Sequence, residues 1–114
     1  MKLEKKKIGN VNIVYLPPGM KTTTSDTIEK KLVDIIDNDV DAHMLINLKD
    51  IGSITISGLR IFLTVRKKLN EMNKVLKICE INNPVVKESF YITDLFKLLQ
   101  FSETEEEGLK SFVL

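Results

Sequence analysis

A single cysteine, Cys79, stands in this chain of 114 residues, so an internal disulfide, a CxxC redox pair and a cysteine-based zinc site are all excluded. Histidine is equally scarce. His43 has no second imidazole with which to share a metal ion, and any Ser-His-Asp arrangement would have to use that one ring. Net charge is nearly absent: 17 basic against 16 acidic side chains leave a formal +1, too little for the concentrated basic footprint that nucleic-acid binding needs. Long apolar runs are missing as well. The longest, residues 11–16 and 95–99, fall far below the roughly 20 residues that cross a bilayer, and no apolar region of a signal peptide follows the basic start. Gly52 and Gly58 lack the companion glycines of a Walker or dinucleotide fingerprint. These absences lead to the expectation of a cytoplasmic protein with no metal, no cofactor, no nucleic acid and no membrane insertion.

What is present suffices for one core. A chain of this length, read as one domain over residues 1–114, buries roughly two-thirds of its unfolded surface without staples. Cys79, between Leu76, Ile78 and Ile81, reads as a small core or strand residue. The cluster Lys5-Lys6-Lys7 reads as a solvated end, with residues 1–7 free to fray.

The organising stretch covers residues 44–72. Met44-Leu45-Ile46-Asn47-Leu48 has the length and composition of a buried strand, and after Ser57 the pattern switches from period two to helical spacing. Gly58, Phe62, Val65, Leu69 and Met72 fall on one face of that helix, broadened by Leu59, Ile61 and Leu63. A strand feeding a helix through a small-residue turn leaves the turn at the strand's carboxyl edge, where open α/β sheets present their functional groups.

The flanks are legible in the same terms. Residues 3–8 and 11–16 predict an antiparallel hairpin around Gly9-Asn10, ended by Pro17-Pro18-Gly19. Residues 21–26 form a polar connector in which Thr24, Ser25 or Asp26 caps a helix whose apolar face is Ile28, Leu32, Ile35 and Ile36. Asn73 is placed to close the central helix in the left-handed conformation, and a strand over residues 75–81 follows. Strand, helix, strand in that order demands a right-handed crossover and parallel pairing. Asn83 caps a further helix with Pro84 at its first position, and Val85, Val86, Phe90 and Tyr91 belong to it up to a break at Thr93-Asp94. Residues 95–101 read as one helical turn and a short edge strand. The acidic run 103–107 opens a last helix containing Leu109, Phe112 and Val113, its carboxylates complementing the helix dipole.

The order of elements and several residues resemble the STAS domain, the family of sulfate-transporter tails and bacterial anti-sigma factor antagonists. Its signature is an apolar strand carrying Asp or Asn and, eight residues on, an Asp-Ser-Ser-Gly or Asp-Thr-Ser-Gly turn before an aliphatic residue. Here Asn47 lies in the strand and Thr55-Ile56-Ser57-Gly58-Leu59 begins eight residues later. Phe90, Ile92, Thr93, Asp94 and Leu95 echo the family's later Thr-Gly-Leu step. The resemblance implies an α/β fold, a mixed sheet of about four to five strands with about four helices packed on it, and no active site. It also implies a partner, a kinase-type anti-sigma factor that phosphorylates the turn's second serine, the position of Ser57. The turn departs from the family at Thr55 and Ile56, and Lys21 and Thr22 stand where family members often carry Asp.

Two readings of Ser57 follow, a helix N-cap or a phosphorylation site. The expected partner surface comprises Ser53, Thr55, Ile56, Ser57, Gly58 and Arg60 together with Lys21, Thr22 and Thr23. An alternative keeps the fold without the switch, as a constitutive subunit of a larger assembly such as a lipid-transport ABC complex. An enzyme with Ser57 as nucleophile is the weakest reading, because His43 precedes the strand that Ser57 follows.

Overall fold

The computed structural model describes residues 2–20 and 22–112. Lys21, at the start of the expected docking loop, and Val113, expected in the last helix, lie outside the described residues.

The chain begins with a hairpin. Strands β1 (Glu4–Ile8) and β2 (Val11–Tyr15) pair antiparallel around Gly9-Asn10, and Gly9 takes φ +59°, a conformation a side chain would oppose. The lysine-rich start expected to fray is therefore strand, with Lys6 and Lys7 held to Glu105 and Asp39 at 3.2 and 2.8 Å. Next come β3 (Gly19–Met20), α1 (Thr22–Asp37), β4 (His43–Asn47), β5 (Ser53–Ile54) and α2 (Ile56–Glu71). The chain continues with β6 (Leu76–Cys79), α3 (Pro84–Ile92), α4 (Leu95–Leu98), β7 (Gln100–Ser102) and α5 (Glu105–Lys110).

The main sheet has the order β1-β2-β4-β6-β7, parallel everywhere except at the hairpin. Each parallel step needs a crossover, and α1, α2 and the α3–α4 pair supply them in turn. A second ladder of two residues pairs β3 with β5 in parallel, Gly19 beside Ser53 and Met20 beside Ile54.

Because both faces of the sheet are covered, its inner strands read as continuous apolar runs. Register puts Val14, Ile46 and Ile78 side by side, in a core shared with Ile28, Leu32, Phe62, Val65 and Leu69 of α1 and α2. On the opposite face Ile13, Leu45 and Cys79 pack against Phe112. There α5 approaches so closely that a Cβ on Gly108 would stand 3.0 Å from Leu45 Cδ1.

Some boundaries differ from those expected. Helix α1 already begins at Thr22, so Thr24, Ser25 and Asp26 lie inside it and do not cap it, and Ser25 is buried. The pairing of β3 with β5 fixes the chain up to Met20, which leaves no room for a longer connector. Strand β6 ends at Cys79 because Glu80 takes φ +60° and leaves the ladder. Helix α5 ends at Lys110, with Phe112 in the turn beyond it.

Local chemistry accounts for the remaining ends. After α2, Asn73 at φ +60° donates its N–H to Asn70 and Lys74 donates to Leu69, the paired bonds that close a helix on a left-handed residue. Before α3, Asn83 Oδ1 accepts from the N–H groups of Val85 and Val86, with Pro84 at the first helical position.

Candidate functional site

The turn expected to carry function lies where the β3–β5 ladder releases two helices. Since β3 leads into α1 and β5 into α2, their parallel pairing sets the two helix starts side by side. At the far ends Lys68 of α2 holds Asp37 of α1 at 3.0 Å, so the helices run in the same direction. Two positive dipole ends converge on one edge, and no acidic residue lies in the first turn of either helix.

Within the turn, Thr55 is the N-cap, its Oγ1 accepting from the Gly58 N–H at 3.2 Å. The capping reading of Ser57 is corrected by this. Ser57 is the second residue inside α2 and is half-buried, while Ile56 beside it is 67% exposed. Threonine takes the cap because its β-region backbone, φ −92° and ψ 169°, aims the hydroxyl at the first free amides.

The other expected surface residues are placed as follows. Ser53 is exposed in β5, Arg60 is exposed one turn along α2, and Gly58 is buried beneath them. The backbone of Thr22 and Thr23 forms the first turn of α1. The ladder thus brings the beginnings of α1 and α2 together, although some thirty residues separate them in the chain.

A polar network behind the turn had no counterpart in the sequence reading. Asn47, the residue eight positions before Thr55, accepts at Oδ1 from the Lys49 N–H at 2.8 Å and donates from Nδ2 to Glu105 Oε1 at 3.0 Å. Tyr15 donates its hydroxyl to the same oxygen. Lys6 pairs with the other carboxylate oxygen, and the Glu105 N–H donates to Glu80. Burial pushes the Glu105 pKa up, but hydrogen bonds from Tyr15, Asn47 and Lys6 together outweigh it and hold the carboxyl below its usual value. The Tyr15 hydroxyl is shifted upward, first by burial and then by its bond to Glu105. This network ties the carboxyl ends of β2 and β4 to α5, and Asn47 anchors the beginning of the connector that leads to the turn. An asparagine at a strand end is a turn signal in its own right. Its partner 58 residues away leaves no local trace.

His43 sits at the other end of β4. Its Nδ1 accepts from the Val75 N–H at 3.1 Å and its ring stacks on Phe112 at 5.3 Å, so it cannot act as a base for Ser57. Cys79 is buried, and burial, followed by the nearby Glu80 and Glu105, pushes its thiol up to about 12. Among the described residues no three His, Cys, Asp or Glu side chains are grouped to hold a metal ion, and no helix is long and apolar enough to cross a membrane.

Comparison with known proteins agrees with this geometry. The anti-sigma F factor antagonist of Paenibacillus polymyxa is 25% identical over 109 residues, covering 96% of this chain and 92% of its own. An anti-sigma-factor antagonist (STAS) domain protein from Planctomyces limnophilus superposes with a TM-score of 0.87 at 16% identity, over 97% of each chain. The Bacillus cell fate determinant SpoIIAA in its phosphorylated form superposes with a TM-score of 0.72 at 14% identity, over 97% of this chain and 99% of its own. The sequence pattern of the STAS domain matches residues 2–108. On that match, with an Asn-bearing central strand, a capped turn and a long helix in the expected order, the chain belongs to the STAS domain family, as an anti-sigma factor antagonist-like member.

Proposed function

We propose that this protein is a cytoplasmic, non-enzymatic regulator that binds a kinase-type anti-sigma factor through the turn at residues 55–58, the first turn of α2 and the adjoining start of α1. Phosphorylation of Ser57 by that partner releases the complex. The observation that carries this reading is the division of labour in the turn. Thr55 holds the cap, so Ser57 stands half-exposed in the first turn outside the capping bond, with Ile56 projecting beside it.

The physics of the switch follows from that placement. A phosphoserine carries about −1.5 to −2 charges near neutral pH. At the amino end of a helix it gains about 0.3–1 kcal/mol from the dipole, and Arg60, three residues on, lies on the same helix face. The fold therefore tolerates the modification, while a partner seated over Ile56 meets new bulk and charge.

The test mixes the purified protein, ATP and the kinase-type anti-sigma factor of the same organism. One phosphate mass should be gained, Ser57→Ala should abolish that gain, and the phosphorylated protein should no longer bind the partner. No gain, or a gain that survives Ser57→Ala, overturns the switch. Co-purification of a transporter ATPase with no kinase would replace this reading by a constitutive role in an assembly.

A further inference from the structure

Of the eight large apolar side chains left exposed among the described residues, five belong to α3 and α4: Val85, Tyr91, Ile92, Phe96 and Leu98. Between these helices and β7, beyond the carboxyl ends of β6 and β7, opens a cleft of about 450 Å³. Its floor is aromatic. Tyr91 stacks on Phe96 at 4.3 Å, Phe96 on Phe101 at 5.7 Å, and Phe90 meets Phe101 edge-on at 5.3 Å. The corner that folds α4 back so that Phe96 reaches Tyr91 is Asp94, in the left-handed conformation at φ +59°. The charged side chains lining the cleft are Glu80, Glu103 and Lys87, which leaves a net negative charge beside the stacked rings. Among the described residues no lysine or arginine pairs with Glu103, whereas Glu105 and Glu106 of the same acidic run have Lys6 and Lys110.

We propose that this cleft is a second docking site, distinct from the turn at residues 55–58, for a segment of a protein partner that presents an arginine flanked by apolar side chains. The guanidinium lies against the outward side of the Tyr91–Phe96 stack, on the side of the cleft that Glu103 lines, and the flanking side chains rest on the exposed parts of those two rings. Both features of the lining select a cation: the excess carboxylate attracts it, and the outward face of the aromatic stack attracts it through the ring quadrupole. Arginine suits the site better than lysine, because its planar, weakly hydrated head stacks on aromatic faces. A peptide suits it better than a small free cation, because Tyr91 and Phe96 stay 49% and 44% exposed in the lining and can seat apolar side chains beside the cation. Nothing in this proposal depends on Ser57 or its modification.

The test is a nitrogen-15 NMR titration of the full chain with the peptide acetyl-Leu-Arg-Leu-Arg-Leu-amide, beside the same peptide with glutamate in place of arginine. The arginine peptide should shift amides of residues 80–82 and 87–104, and the glutamate peptide should shift none. Phe96→Ala should weaken binding about fivefold, the size expected from one partly exposed cation–π contact. Glu103→Gln should weaken it and reduce its salt dependence, and Ser57→Ala should leave it unchanged. Equal binding of both peptides, shifts centred on residues 53–60, or no shift at millimolar arginine peptide overturns the proposal. Should Phe96→Ala fail to fold, Glu103→Gln decides, since Glu103 is exposed.

Discussion

Two hydroxyls two positions apart have different duties in this fold, and the difference is measurable. Loss of the Thr55 side chain removes the acceptor for the Gly58 N–H, so Thr55→Ala should cost about 1 kcal/mol in urea unfolding. Ser57→Ala, which removes no capping bond, should stay within about 0.5 kcal/mol. Sequence alone could not assign the cap, because Thr55 and Ser57 both have hydroxyls of suitable reach and the choice is made by backbone angles. His43 carries a second prediction at this scale. Burial, followed by the nearby Lys74 and Lys77, lowers its pKa below the usual 6.5, and protonation of Nδ1 would end its acceptance of the Val75 N–H. The unfolded chain therefore takes up the proton first, and stability is complete above about pH 6.5 and declines as pH falls through that value toward the folded pKa. Thermal midpoints measured across this window should fall for the wild type and stay flatter for His43→Gln.

At the scale of elements, what was legible depended on whether the chemistry was local. The hairpin at Gly9-Asn10, the Asn73 closure of α2 and the Asn83-Pro84 start of α3 each need only adjacent residues, and each was readable. The start of α1 was misplaced because a run of hydroxyls offers several caps, and the β3–β5 ladder that selects the earlier start joins residues more than thirty positions apart. The same holds for the bonds from Tyr15 and Asn47 to Glu105, spanning 90 and 58 residues. Helix α5 offers a test of close packing. An added methyl at Gly108 would stand 3.0 and 3.3 Å from the two Leu45 methyls and 3.5 Å from Cys79 Cβ, so the fully buried Leu45 must shift by a few tenths of an ångström. An overpacking cost of about 1–3 kcal/mol, offset by about 1 kcal/mol of helix propensity, leaves Gly108→Ala destabilised by up to about 2 kcal/mol. Urea unfolding would register it as a lower midpoint at unchanged slope.

For the molecule as a whole, the question is how its sheet ends. β1 is an outer strand exposed along its length, and an unpaired strand edge invites another chain unless charge discourages it. Lys5, Lys6 and Lys7, read from sequence as a solvated end, supply that charge. Replacing all three with threonine should give concentration-dependent association in sedimentation velocity, while a single Lys5→Thr should leave the protein as it was. The overall architecture was readable because alternating strand and helix patterns admit few topologies once crossovers must be right-handed. The segment expected to dock a partner was readable only as composition, since the start of α1 is set by the pairing of distant strands.

The two-rung ladder between Gly19-Met20 and Ser53-Ile54 is the smaller of the two sheets among the described residues, yet it sets the heads of the two long helices side by side. So brief a ladder should open at a lower free-energy cost than the large sheet. Hydrogen exchange at Met20 and Ile54 should therefore outpace that at Leu45 and Ile78, and a visitor arriving over this edge would meet a doorway already ajar.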